Sequence, residues 1–536
     1  MHPKFQRITN PVGVSLLAIP RTNLAIKPAA RLRPDIDPWR GSLLPLGCGA
    51  ALVLQLQVQL VGIRMPIIYR VPPLIGIILL VERLLARLTG IIVPVDLKMS
   101  EQLTIQTYVE GHWRDAVVFS VSNAQKVEES RCSVSYDQDY LVHFIHKLDT
   151  AFEHALSVNL PLSWNAVDGK GYPPFVYDII PAGAARKSLQ KRFGEEKPDG
   201  MDMSFFLLSR CTPSPIGHLR VKESFEQIDQ TRKEAFARKE IVDRTNDFLE
   251  YAYESGAALG GATGAQGEAP KLIMVEDGDG ALYADAMLSD ELARRHWLVK
   301  FARNQATERD KNILRAEYHY YKAISRLGLK TISTDGLVLE EADKPSLWMP
   351  RFDRRVANDM VERIPVESIY SVCENTEPGS RMNHEDVLSR LIHLWCTNGQ
   401  EGELEELVFE YLRRDLLNRI LGNSDNHGRN TAIFRYRDKF ELAPIYDLAP
   451  MVLDPEGVTR VTKWKAERMG SPDWKAVCSD FQDLVSPDVL FERLLGAAEI
   501  FRALPDLLVD LPEEVRRAQS IPLNNLDKRL AEWGLR

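Results

Sequence analysis

The stretch from Leu416 to Pro450 constrains this chain more than any other, and its centre reads Asn423-Ser424-Asp425-Asn426-His427-Gly428-Arg429-Asn430. A helical pattern precedes it. A short hairpin follows, ending in Ala443-Pro444-Ile445-Tyr446-Asp447. Phosphoryl transfer asks little covalent chemistry of a protein. It needs a carboxylate to orient the attacking hydroxyl, and oxygen ligands that hold magnesium against a triphosphate. Asp425, Asn430 five residues later, and Asp447 beyond the hairpin supply those groups in the order and spacing such a site uses. The three together carry a signal that none carries alone.

At 536 residues the chain is long enough for two or three domains with a substantial core. A formal charge of −8 argues against broad binding to nucleic acid by the protein itself, so any DNA contact is expected through a partner. Its six cysteines are scattered, without metal-ligand spacing, which fits a reducing cytoplasm better than a disulfide framework.

Residues 1–98 differ from the rest. Leu43–Ile63 is uncharged and Val71–Val81 strongly apolar, which raises a membrane hairpin or anchor. The first run carries glutamines, glycines and a proline. The second is short of the ~20 residues a spanning helix needs. The reading adopted is that translation starts at Met99 and that residues 1–98 stand outside the fold. From Leu103 to Val109 the pattern alternates as a half-buried strand does, and Ala116–Val121 follows as a second. Pro173–Pro181 leads into a basic helix at Ala184–Arg192, and Ile216–Val221 closes a mixed module. Glu226–Tyr253 is charged with helical spacing, and a connecting helix is expected there.

Next comes a glycine loop, Ser255–Gly267, able to approach phosphates closely. Lys271–Val275 and Trp297–Phe301 read as strands. Lys300 lies within the second, where a bare ammonium is costly to bury without a partner. Asn312–Leu327 has helical periodicity and carries Glu317. A strand lysine paired with a glutamate from the next helix fixes the α- and β-phosphates in kinase folds. Gly336–Leu339 and Ser346–Pro350 look like the last strands of an upper lobe. They lead to Arg351-Phe352-Asp353-Arg354, whose backbone is placed to read an adenine edge as a hinge; strand-end ion pairing is the alternative for Asp353 and Arg354. Glu385–Thr397 and Leu404–Leu421 read as long helices, the second buried along one face and ending at Gly422. Ser486-Pro487 marks the start of a helix to about Phe501, and Pro512–Ser520 suggests one more.

These residues resemble the HipA-like serine/threonine kinases of bacterial toxin–antitoxin systems. That family carries Asn-x-Asp-x-His-x-Lys-Asn, a hairpin, then Ala-Pro-x-Tyr-Asp. This chain has Asn423, Asp425, His427, Arg429, Asn430, Ala443, Pro444, Tyr446 and Asp447. The likeness extends upstream through the glycine loop, Leu298–Phe301, Ala316-Glu317 and Arg351–Arg354, and covers about Leu103 to the C-terminus. It implies an α+β, two-lobed protein-kinase-like fold with an N-terminal mixed α/β module and an all-helical C-terminal lobe. The expected divisions are 1–98 (extension), 99–225 (N-terminal module), 226–254 (connecting helix), 255–355 (nucleotide-binding upper lobe) and 356–536 (lower lobe).

By the same resemblance, Asp425 is the catalytic base, Asn430 and Asp447 hold magnesium, and Lys300, paired with Glu317, contacts the α/β-phosphates of ATP. Gly260, Gly261, Gly264, Ala265 and Gln266 would cover the phosphate tail, and Arg351 and Phe352 would meet the base. His427 is read as a packer of the catalytic loop. The chain departs from the family at Arg429, which replaces a lysine at a possible γ-phosphate contact, and at Gly261, which replaces a serine that the family can autophosphorylate. The implied function is an ATP- and magnesium-dependent kinase toxin acting on a protein such as an aminoacyl-tRNA synthetase. Its implied partner is a helix-turn-helix antitoxin, through which it reaches operator DNA. Two other classes remain open: a catalytically silent nucleotide-binding regulator or co-repressor, and a kinase of a small molecule or lipid.

Overall fold

The computed structural model describes residues 102–536 apart from 232, 245–251, 256, 258–268, 304 and 359. The extension at 1–98 and the loop residues Gly260, Gly261, Gly264, Ala265 and Gln266 therefore lie outside the described residues. No helix among the described residues is long and apolar enough to cross a membrane.

The N-terminal module is built on an antiparallel sheet of β1 (Gln102–Val109), β2 (His112–Val121), β3 (Arg131–Tyr136), β4 (Val167–Lys170) and β5 (Leu219–Val221), in the order β4-β3-β2-β1-β5. Its apolar positions share one core with helices α1 (Gln138–His143), α2 (Val176–Ile179), α3 (Gly183–Phe193) and α4 (Met203–Arg210). Among the described residues, the connecting helix expected over 226–254 does not run as one piece. Helix α5 (Lys222–Glu226) stops where that helix was to start, and α6 (Arg238–Asp243) is a separate short piece. Tertiary pairing overrides local propensity here. Phe236 is buried and exchanges two backbone hydrogen bonds with Leu282, 2.9 and 3.0 Å, and the Arg238 guanidinium lies over the Trp348 ring.

The upper lobe is a second antiparallel sheet, order β7-β6-β8-β10-β9, formed by β6 (Lys271–Glu276), β7 (Leu282–Ala284), β8 (Arg295–Phe301), β9 (Val338–Glu340) and β10 (Ser346–Pro350). Period-two alternation gives this sheet two different faces. Trp297, Val299, Phe301 and Trp348 join the N-terminal core, while Leu347 and Met349 join the core of the lower lobe. Leu298 and Lys300 therefore face the cleft between the lobes. Helix α7 (Glu308–Arg326) starts four residues before the sequence pattern suggested. Thr307 caps it and Asp310 answers from the third helical position, so a capping box sets the start.

The lower lobe is helical around α8 (Ile369–Val372), α9 (His384–Thr397), α10 (Leu404–Ile420), α11 (Trp474–Ser479) and α12 (Pro487–Phe501). The all-helical expectation needs one correction. After the hairpin β11 (Arg354–Ala357) and β12 (Met360–Arg363), strand β13 (Val366–Ser368) pairs with β15 (Ala432–Arg435), which pairs with β16 (Phe440–Leu442). This small sheet holds the hairpin that follows the Asn423–Asn430 loop by main-chain bonds. A further short pair, β14 (Met382–Asn383) with β17 (Thr462–Lys463), lies beside it.

The N-terminal module is fastened to the lower lobe by polar contacts at specific points. Arg435 is buried and donates to the carbonyls of Phe152 (2.9 Å), Ala155 (2.8 Å) and Leu156 (2.9 Å), with Glu367 beside its Nε at 3.1 Å. Glu367 in turn accepts from Ser157 Oγ (2.6 Å) and Val158 N (3.0 Å).

Candidate active site

Helix α10 ends at Gly422, whose φ of 70° is the left-handed geometry that glycine takes at a helix end. The loop that follows is fixed from three sides. Asn423 Nδ2 donates to Asn418 Oδ1 (2.8 Å) and to the Asp447 carbonyl (3.3 Å), while its Oδ1 accepts from Asp425 N (3.2 Å). Asn426 pairs with β17, its amide donating to Thr462 O (2.6 Å) and its carbonyl accepting from Val461 N (2.9 Å). Arg460 donates to the Asn423 carbonyl (3.2 Å) while ion-paired to the buried Asp415 of α10. At Gly428 there is no room for a side chain, because a Cβ would sit 2.4 Å from the Tyr370 ring.

This scaffold presents Asp425 with its side chain about a quarter exposed (23%), and the His427 Nε2 lies 3.3 Å from its Oδ1. Burial depresses the His427 pKa, with Asp425 and Asp447 opposing, so the ring is neutral at pH 7. It stacks near Tyr370 and accepts from Arg429 N at Nδ1 (3.2 Å), as a packing residue does. Asn430 Nδ2 donates to the Asp425 carbonyl (2.7 Å). Its Oδ1 is buried without a hydrogen-bond donor among the described residues.

Asp447 has φ 51°, a left-handed conformation that costs a non-glycine residue about 1–3 kcal/mol and gathers at functional sites. Its Oδ1 accepts from Lys300 (2.6 Å) and its Oδ2 from Lys271 (3.0 Å). Lys300 also donates to Glu317 (2.5 Å), which accepts from Tyr321 OH (2.9 Å). Burial would raise the Asp447 carboxyl, but the two ammonium groups outweigh it and hold the group well below the usual range. Burial likewise opposes the charge on Lys300, and Asp447 with Glu317 overcomes it, so the ammonium is held charged.

The cleft encloses about 850 Å³ of space between its walls, the open mouth included. Leu298, Met349, Phe352 and Ala432 give it an apolar end, and Lys271, Lys300 and Asp447 a charged one. A recess beside the charged end brings together Asp425, Asp447, Lys271, Lys300 and Arg303. Phe352 stacks on Tyr446 with centroids 5.2 Å apart. Arg351 borders the cavity, but its guanidinium is committed to Asp353 (2.9 and 2.7 Å) and Asp285 (3.2 Å). Arg354 also pairs with Asp353, so both residues of the alternative hinge reading are ion-paired. Arg429 lines the main cavity and not the recess that holds Asp425, away from the γ-phosphate contact suggested for it.

Magnesium takes oxygen ligands, often only one or two from the protein with substrate phosphates completing the set. Asn430 and Asp447 fit that pattern, and the unpaired Asn430 Oδ1 is the observation that carries the fit. Among the described residues no group of three His, Cys, Asp or Glu forms a metal site.

The sequence reading missed Lys271, Arg303 and Asp178. Lys271 is the Cα partner of Lys300 across β6 and β8, so its place depends on strand register. Asp178 is a lone acid within the apolar run Phe175–Ile180, and that isolation was the available signal.

A two-lobed, kinase-like fold with its polar residues gathered at the cleft is thus the class this chain presents. The HipA-like C-terminal domain matches residues 260–502 of this chain. HipA of Shewanella oneidensis MR-1, solved in a toxin–antitoxin complex with HipB and operator DNA, superposes with a TM-score of 0.52 at 16% identity. That match covers 80% of this chain and 96% of the other, a likeness of fold. Toxin YjjJ of Escherichia coli K12 is 28% identical over 166 residues, 30% of this chain; the match spans about a third (34%) of that toxin's length. The Helicobacter pylori proinflammatory kinase CtkA aligns over 50% of this chain and 89% of its own, at 16% identity and a TM-score of 0.31.

Proposed function

We propose that this protein is an ATP- and magnesium-dependent serine/threonine protein kinase, the toxin of a toxin–antitoxin pair. The observation that supports it best is the recess in which Asp425 and Asp447 of the lower lobe meet the Lys300–Glu317 pair of the upper lobe, with Asn430 bonded to the Asp425 carbonyl. In the proposed reaction the acceptor hydroxyl attacks the γ-phosphorus, the bond to the β–γ bridging oxygen breaks, and ADP leaves. Asp425 orients the hydroxyl and takes its proton. Lys300 holds the α/β-phosphates, with Glu317 fixing the ammonium. Lys271 and Arg303 add positive charge at the same end. Asn430 and Asp447 would hold magnesium, which supplies charge against the phosphate oxygens.

The family resemblance points to a translation factor such as an aminoacyl-tRNA synthetase as substrate, and to the cytoplasm as its place. A helix-turn-helix antitoxin would be the partner, as HipB is for the Shewanella protein, and the complex would reach operator DNA through it. The test is transfer of labelled γ-phosphate by the wild type, Asp425→Asn and Asp447→Ala. Equal labelling by all three would refute the assignment. ATP binding without transfer by the wild type would favour the silent regulator.

A further inference from the structure

One stretch of the cavity wall belongs to neither the apolar end nor the charged end. A nucleotide is linear, base to sugar to phosphate. With phosphates at Lys300 and Asp447 and the base against Leu298 and Phe352, the sugar falls between. Arg429 lines this cavity together with the residues of both ends. It precedes Asn430, and its carbonyl accepts from Tyr446 OH (2.5 Å), whose ring stacks on Phe352. The residue is only 4% exposed, yet its Nε and Nη1 meet no hydrogen-bond acceptor among the described residues. A buried guanidinium left so is costly, and it calls for a ligand atom that accepts.

The other group here comes from the N-terminal module. Asp178 of α2 lines the same cavity, with its oxygens accepting from Ser368 N (2.9 Å) and Ser368 Oγ (2.6 Å). Each oxygen keeps a further lone pair. The Arg429 charge acts on Asp178, but no ion pair joins the two. Between them a hydroxyl can donate to the carboxylate and accept from the guanidinium. Capping α8 through Ser368 would explain one face of Asp178. It would leave Arg429 unexplained.

We propose that Asp178 and Arg429 bind the sugar hydroxyls of the nucleotide, so that the N-terminal module completes a site otherwise built by the two lobes. This rests on the nucleotide-binding reading of the cleft. Burial raises the Asp178 carboxyl to about 6, with Ser368 opposing, which is consistent with a group placed for a ligand.

The test is calorimetric titration of the full chain with magnesium and ATP, 2′-deoxyATP or 3′-deoxyATP. The wild type should bind at least one deoxynucleotide about tenfold more weakly than ATP, the scale of a lost hydrogen bond. Asp178→Asn should weaken ATP to a similar degree while leaving that deoxynucleotide near its wild-type affinity. Deoxynucleotides binding the wild type within about twofold of ATP would overturn the proposal without touching the kinase reading. So would an equal loss for all three ligands in the variant, which is the signature of capping alone. The wild-type comparison needs no substitution and stands even if the variant fails to fold. Absence of ATP binding to the wild type would end both the proposal and the kinase reading beneath it.

Discussion

Two buried charge clusters of the same formal composition sit at opposite ends of the cleft. At the hinge, Arg351 and Arg354 meet Asp353 and Asp285, all at most 1% exposed in their side chains. At the other end, Lys271 and Lys300 meet Asp447 and Glu317, with Lys271, Lys300 and Asp447 retaining 7%, 9% and 12% exposure. The first is closed further by the backbone N–H of Gly217 on Asp353 (2.7 Å), by His296 on Asp285 (2.7 Å) and by Ser214. The second opens onto the cavity. Arginine forks lock carboxylates in a fixed plane, whereas lysine is a mobile point charge that can exchange one oxygen for another. The closed cluster is suited to hold the upper lobe to the N-terminal module. The open one is suited to ligand exchange.

If that contrast holds, substitutions at the two ends separate activity from stability. Asp425→Asn should lose about 10²–10⁴-fold in phosphoryl transfer, the scale of removing a general base, with its urea midpoint unchanged. A collapse of the midpoint instead would mean that the open end is structural too. Asp353→Ala should lower unfolding free energy by about 3–5 kcal/mol, because two buried guanidinium groups lose their partner. Urea melts check this, and a near-neutral result would remove the closed cluster's structural role.

The pH dependence sharpens the same point. Burial pushes the Asp353 carboxyl up, but Arg351 and Arg354 outweigh it and hold the group at about 2. A depressed carboxyl stabilises the fold above its unfolded pKa, near 4, and that stability is lost as pH falls from there through about 2. Roughly 2 kcal/mol is at stake by that linkage, and urea melts of the wild type should show an acid loss that Asp353→Asn lacks. The smallest effect is expected for Arg351→Lys. It keeps the charge but gives up one of the two parallel bonds to Asp353 and the guanidinium's contact with Asp285, about 1–2 kcal/mol in the same melts.

What the sequence made legible follows from physical range. Lys300 stood out locally as an ammonium inside the apolar strand Trp297–Phe301, costly to bury without a partner, and the Asp425–Asn430 spacing lies within one loop. Lys271 was illegible because its role depends on which residue of β8 it faces, a register set by the whole sheet. The charged run from Glu226 read as one helix because nothing local announced that Phe236 would pair with Leu282, far along the chain. At the hinge, ion pairing of Asp353 and Arg354 was legible, but the pairing of the arginines with Asp285 was not, since Asp285 comes from a different strand connection.

Arg435 has a consequence for how the chain comes to be made. The carbonyls it gathers, from Phe152 to Leu156, leave the ribosome about 280 residues ahead of it, as the 284-residue separation from Ala151 indicates. Until then that loop must rely on solvent, so the module can fold its own sheet early and dock only when β15 emerges. Nascent chains arrested before residue 435 should be clipped by protease at 151–156, and those arrested well beyond it should be protected.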